Sequence, residues 1–266
     1  MRTLRIPVAA HGTVEITVTE QGQGHPVLVL HGGGGPQTVS GFAELLAMQR
    51  PARVITPTHP GFGGTPRVGS LTGIPDLAAV YVALLADFRL QDVTVIGNSI
   101  GGWIAAEMAL ADSQRISSVV LVDAVGIVVP GHPIADFFSL SPKQVAELSY
   151  HDPERFGIDP SKLPPEALQV MAGNRATLSL YAGAAMGDAG LTARLAGVRK
   201  PTLVVWGDSD QIVDPDYGRE FAGAIPGAEF QLLPDTGHLP QIETPGALLD
   251  AVWAFAQRHA LIRPTS

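Results

Sequence analysis

Apolar positions along this chain follow two different periods, and the change comes near residue 25. Thr3 to Ala9 and Thr13 to Thr19 alternate apolar and polar residues on either side of His11-Gly12, which predicts an opening antiparallel hairpin. Beyond it the runs become short and unbroken: PVLVLHG (26–32), ARVITPTHP (52–60), DVTVIGN (92–98), ISSVVLVDA (116–124) and PTLVVWGD (201–208). Such runs suit strands covered on both faces, as in a parallel sheet packed between helices.

Helical periods lie between the runs. Leu77, Val80, Tyr81, Leu84, Leu85 and Phe88 form one apolar stripe. Thr244 and Pro245 stand as N-cap and first residue of a closing helix whose stripe is Leu248, Leu249, Val252 and Phe255. Strand and helix alternating with short links predict an α/β doubly wound sheet. The rhythm stops from Gly126 to Val198, where no buried-strand run occurs and seven prolines fall between Pro130 and Pro165. Scattered large apolar residues and helix-compatible stretches such as PKQVAEL predict a helical insertion over one edge of the sheet. The chain then divides into a core of residues 1–126 and 199–266 and a cap of residues 127–198.

The totals narrow the function. With 266 residues, 45% of them hydrophobic, the chain can bury a large core. A formal net charge of −8 disfavours nucleic acid and anionic membrane surfaces as partners. The absence of cysteine excludes disulfides, thiolate metal sites and cysteine nucleophiles. MRTLRIPVAAHG lacks the pattern of a signal peptide, and no run reaches the roughly 18 apolar residues of a membrane span. The expectation is a soluble cytoplasmic protein, monomer or homodimer, acting on a small molecule without nucleic acid or membrane.

Gly97-Asn98-Ser99-Ile100-Gly101 matches G-x-S-x-G between a predicted strand and a helical segment. That pattern serves a very tight turn that lifts a strained serine above the sheet, with flanking glycines where a Cβ would collide. Gly102 would let the following helix sit close, with Ile104 and Met108 on its inner face. The Ile100 amide, at that helix's start, is expected to face a developing oxyanion.

A serine needs a histidine to take its proton and a carboxylate to hold the histidine's tautomer. Of eight histidines, His238 in LLPDTGHLPQIETP is the one placed between the last strand and the last helix. For the acid, Asp208, Asp210 and Asp214 follow the strand ending near Trp206, and Asp123 ends the strand before the insertion; spacing does not choose among the four. His31 to Pro36 reads HGGGGP, and its glycines can turn amides toward an oxyanion without steric cost. A phosphate loop does not fit, since no G-x-x-x-x-G-K-[ST] is present. His31 is expected to bond to nearby backbone. No ligand cluster suggests a metal, and the chemistry requires no cofactor.

LHGGGG, THPGFGGT, GNSIGG, PTLVVWGDSDQIVD and GHLPQIETP, in this order, resemble the α/β-hydrolase superfamily over nearly the whole chain. The resemblance implies a mostly parallel eight-stranded sheet with an inserted helical cap. It implies Ser99 as nucleophile, Asp210 as acid and His238 as base, with oxyanion amides from Ile100 and from Gly33 or Gly34. His59 stands where many relatives carry aspartate, usually a structural position.

GNSIGG and HGGGG are most similar to the meta-cleavage-product hydrolases, which cut carbon–carbon bonds of vinylogous diketo acids, and to many esterases. The carbon–carbon hydrolases commonly carry Met after the serine and Trp after the histidine, whereas this chain has Ile100 and Leu239. Their cap arginine grips a substrate carboxylate; Arg175 in GNRATLSLYA is the best candidate for that here, but a cap-core salt bridge is the role expected of it. The departures favour a carboxylic ester or similar acyl substrate, with Phe137, Phe138, Met171, Tyr181 and Leu239 as expected pocket residues. Carbon–carbon hydrolysis is the alternative, and a non-turnover small-molecule receptor of the same fold is a rival from another class.

Overall fold

The computed structural model describes residues 1–260. Eight strands form one sheet: β1 (Arg2–Val8), β2 (Gly12–Gly22), β3 (His25–Leu30), β4 (Ala52–Thr58), β5 (Val93–Asn98), β6 (Ile116–Val122), β7 (Thr202–Gly207) and β8 (Glu229–Leu233). Their order is β1-β2-β4-β3-β5-β6-β7-β8. The opening hairpin pairs antiparallel, β2 runs antiparallel to β4, and every later pairing is parallel.

Helices α1 (Gln37–Gln49), α2 (Ile74–Asp87) and α3 (Ile100–Leu110) follow β3, β4 and β5. Between β6 and β7 lie α4 (Pro142–Ser149), α5 (Pro153–Phe156), a 3₁₀ turn at Pro160–Lys162, α6 (Pro165–Ala182) and α7 (Leu191–Leu195). Helices α8 (Pro215–Gly223), α9 (Pro240–Glu243) and α10 (Pro245–His259) are the last helices among the described residues. None is long and apolar enough to cross a membrane among the described residues.

The unbroken apolar runs work because successive side chains enter opposite layers. Leu28, Leu30, Val119, Leu121, Val204 and Trp206 join the cluster that holds α2, α3 and α8, whereas Val27, Val29, Val120, Val122, Leu203 and Val205 join the one holding α1 and α10. Each layer removes its strand residues from water, which supplies the main drive for folding. Strand β8 differs. It closes one sheet edge and buries only Leu233, so its sequence carries no continuous apolar run.

Helix α3 also departs from the expected one-sided packing. Ile104 and Met108 are buried, but so is every residue from Ile100 to Ala109, Glu107 included. Glu107 accepts two bonds from Arg194, at 2.6 and 2.7 Å, which tie α3 to α7. At α10, Thr244 occupies the N-cap position, but its hydroxyl bonds Thr236 Oγ1 at 2.9 Å and no helix amide.

The residues between β6 and β7 do not bury a cluster of their own. Leu178, Tyr181, Met186, Leu191, Leu195 and Val198 all belong to the cluster of the sheet. At the carboxyl ends of β3, β5, β6 and β7 stand His31, Ser99, Asp123 and Asp208, the edge at which ligands of open α/β sheets bind.

Candidate active site

Ser99 sits between β5 and α3 with φ 56° and ψ −119°, a conformation costly to any residue with a Cβ. Its amide donates to Val122 O of β6 at 3.0 Å, and its carbonyl accepts from Gly102 and Trp103 at 2.9 and 3.2 Å, starting the helix. The flanking glycines are a steric requirement. A Cβ on Gly97 would lie 2.0 Å from the Gly101 carbonyl oxygen, and one on Gly101 would lie 2.4 Å from that of Leu30. The tight turn therefore exists only with hydrogen at both Cα atoms.

The histidine and acid come from the loops after β8 and β7. His238 Nδ1 bonds Asp210 Oδ2 at 2.7 Å, with both residues buried. The other Asp210 oxygen accepts from the amides of Ile212 and Val213 at 2.9 and 3.1 Å, which fixes the carboxylate plane. Since an ionised carboxylate only accepts, His238 Nδ1 is the donor of this bond, which leaves Nε2 as the ring nitrogen not engaged by Asp210. Asn98, the residue before Ser99, donates to His238 O at 3.0 Å and accepts from Gln241 at 3.0 Å, joining the serine turn to the histidine loop.

The four candidate acids separate cleanly. Asp210 meets the histidine. Asp208 accepts from Ser209 Oγ at 2.8 Å, and Asp214 caps α8 while bonding His132. Asp123 is fully buried beside Asp210, and burial together with that neighbour pushes its carboxyl well above the usual carboxylate range. Asp123, Asp210 and His238 each offer a ligand-type atom within 4.8 Å of the others, a grouping that is not apparent in the sequence. His238 Nδ1 is already engaged by Asp210 there.

The glycine loop lies against the serine: a Cβ on Gly32 would be 3.1 Å from Ser99 Cβ. Gly33 and Gly34 donate their amides to no protein acceptor among the described residues, and Ile100, as the first residue of α3, has no intrahelical acceptor for its own. Two buried histidines support the loop. His31 Nδ1 bonds Gly32 O at 2.8 Å, and its Nε2 accepts from the His59 amide at 3.0 Å. The His59 ring in turn contacts His31 O at 2.8 Å and the Tyr81 hydroxyl. Burial lowers both imidazoles, His59 to about 4, so each is neutral with its tautomer set by these partners.

Helix α6 contributes a residue the sequence did not single out. Asn174 is buried, donates from Nδ2 to Gly34 O at 2.8 Å and accepts from the Gly63 amide at 2.8 Å. One turn on, Leu178 covers Gly33, where a Cβ would lie 2.7 Å from Leu178 Cδ2. Likewise α4 reaches the histidine loop, with His238 N donating to Ser149 O at 2.7 Å.

Of the expected pocket residues, Tyr181 is a core residue whose hydroxyl donates to Pro60 O at 3.1 Å. Arg175 forms no carboxylate bond among the described residues, its side-chain hydrogen bonds going to backbone carbonyls. It donates to the carbonyls of Phe137 and Leu140 and lies over the rings of Phe137 and Phe138, at 5.0 and 5.6 Å. The expected salt bridge is thus replaced by a clamp on the 137–140 loop. Met171 and Leu239 are half-buried.

Residues 27–251 match the profile of the Alpha/beta hydrolase family. The chain is similar to a 2-hydroxy-6-oxo-6-(2'-aminophenyl)hexa-2,4-dienoic acid hydrolase of Metapseudomonas resinovorans, 27% identical over 94% of this chain and 90% of that one. It is also similar to Lipase 1 of Psychrobacter immobilis, 26% identical over 87% of this chain and 77% of the lipase. Among solved structures, a thermophilic esterase from Thermogutta terrifontis superposes with a TM-score of 0.78, covering 98% of this chain and all of the esterase, at 23% identity. That last likeness is one of fold.

Proposed function

This chain belongs to the α/β-hydrolase family, and we propose that Ser99, His238 and Asp210 form a catalytic triad hydrolysing a carboxylic ester or similar small acyl substrate. The observation that carries this reading is the 2.7 Å bond between His238 Nδ1 and Asp210 Oδ2, at the sheet edge that bears the strained Ser99.

In the proposed cycle, Ser99 Oγ attacks the carbonyl carbon while His238 Nε2 accepts its proton. Asp210 stabilises the imidazolium through Nδ1. The amides of Ile100 and of Gly33 or Gly34 hold the oxyanion as fixed donors aimed at the charge that develops there. His238 then protonates the leaving group. Water, deprotonated by the same histidine, releases the acid from Ser99.

Carbon–carbon hydrolysis of a vinylogous diketo acid is the second reading, favoured by the dienoic acid hydrolase among the relatives. Against it stand Ile100, Leu239 and the engagement of Arg175 by the carbonyls of Phe137 and Leu140. Turnover of p-nitrophenyl esters of increasing chain length and of a vinylogous diketo acid tests the choice. Ester hydrolysis that disappears in Ser99→Ala supports the proposal. Turnover of the diketo acid alone selects the second reading, and binding without turnover of either selects the receptor.

A further inference from the structure

Asp123 directly follows β6 with a φ of 44° and no exposed surface. Its Oδ1 accepts from the Gly207 amide at 2.8 Å. Its Oδ2 is buried and receives no donor. The ionisable groups facing this carboxyl are Asp210, His238 and Glu243, and no lysine or arginine pairs with it among the described residues. An ionised Asp123 would therefore bring a second, uncompensated negative charge against Asp210 away from water. Two carboxyls in such a place share one proton rather than both ionise.

We propose that Asp123 is a positioning residue which remains protonated in the working protein and donates from Oδ2 to Asp210, an inference that rests on the triad reading. The shared proton removes the orphan acceptor at Oδ2. It also gives Asp210 a fourth donor, beside the amides of Ile212 and Val213 and His238 Nδ1. The pair then carries one negative charge. Two charges beside His238 would hold the imidazole protonated and spoil it as a base near neutral pH. The desolvated carboxyl, raised by burial and by Asp210, is in keeping with this arrangement.

The test compares wild type with Asp123→Asn, which keeps a neutral donor, and Asp123→Ala, which removes it. Infrared difference spectra of wild type against Asp123→Asn at neutral pH read the proton directly, through the carbonyl stretch of a protonated carboxyl. The rate of Ser99 labelling by a fluorophosphonate, measured against pH, reads the positioning. The expected result is a protonated-carboxyl band in wild type and an acid limb of the labelling profile unchanged in Asp123→Asn. Asp123→Ala should label roughly 10- to 100-fold more slowly, the size of one hydrogen bond to a charged group. Absence of the band, or an acid limb displaced by about one pH unit in Asp123→Asn, would show that a real charge was removed and overturn the proposal. Wild-type labelling in a folded Asp123→Ala would overturn the positioning role. A wild type that does not label sinks the triad reading instead, while the infrared band still decides the proton.

Discussion

Asn174 of α6 and Gly34 of the glycine loop are 140 residues apart in sequence, yet Asn174 Nδ2 donates to Gly34 O at 2.8 Å. With its Oδ1 on the Gly63 amide, this side chain pins the loop after β3 to the loop after β4. The helical segment between β6 and β7 is thereby part of the geometry of the proposed oxyanion site and not only a cover.

Asn174→Leu, close in size but without hydrogen bonds, should slow Ser99 labelling by roughly tenfold while the protein stays folded, since a loosened oxyanion donor costs less than a deleted one. Asn174→Asp keeps an acceptor for Gly63 but turns a carboxylate toward the Gly34 carbonyl, and should slow labelling at least as much. Wild-type rates in both variants would remove α6 from the account.

Asp210→Asn should lower ester turnover on the order of 10⁴-fold, because the amide can present NH₂ to Nδ1 and stabilise the wrong tautomer. Steady-state kinetics with a p-nitrophenyl ester check this. A loss below about tenfold would point to another carboxylate as the working acid.

The neutral His59 predicts acid sensitivity. Its imidazole is held down to about 4 by burial, against an ordinary value of 6.5. Between those values the unfolded chain binds a proton that the folded chain refuses, so stability is complete above about pH 6.5 and falls as pH drops toward 4. The contribution of His59 is about 3 kcal/mol across that window. His31, lowered in the same sense, adds to it. Melting temperatures between pH 7 and pH 4 should fall less steeply in His59→Gln than in wild type; parallel curves would contradict the assignment.

Much of the frame was legible because its physics is local. Strands covered on both faces must be largely apolar on both, and β3 to β7 show it in VLVL, VI, VI, VVLV and LVVW. The serine turn announces itself because its glycines answer backbone collisions within a few residues. Strand β8 is less visible because an edge strand buries little. Spacing alone did not choose among Asp123, Asp208, Asp210 and Asp214; the family resemblance named Asp210, and the path of the loop after β7 is what brings it to His238. Asn174 and Arg175 lie farther still from a sequence signal. An asparagine bridging two loops, or an arginine on carbonyls and rings, leaves no periodic trace, and its role is set by contacts dozens to more than a hundred residues away.

The most direct measurement is reaction with a fluorophosphonate, read by intact mass on wild type and on Ser99→Ala. The account predicts a single adduct on wild type and none on the variant. A folded wild type that stays unmodified, or a Ser99→Ala protein labelled as fast as wild type, would contradict Ser99 as an activated nucleophile.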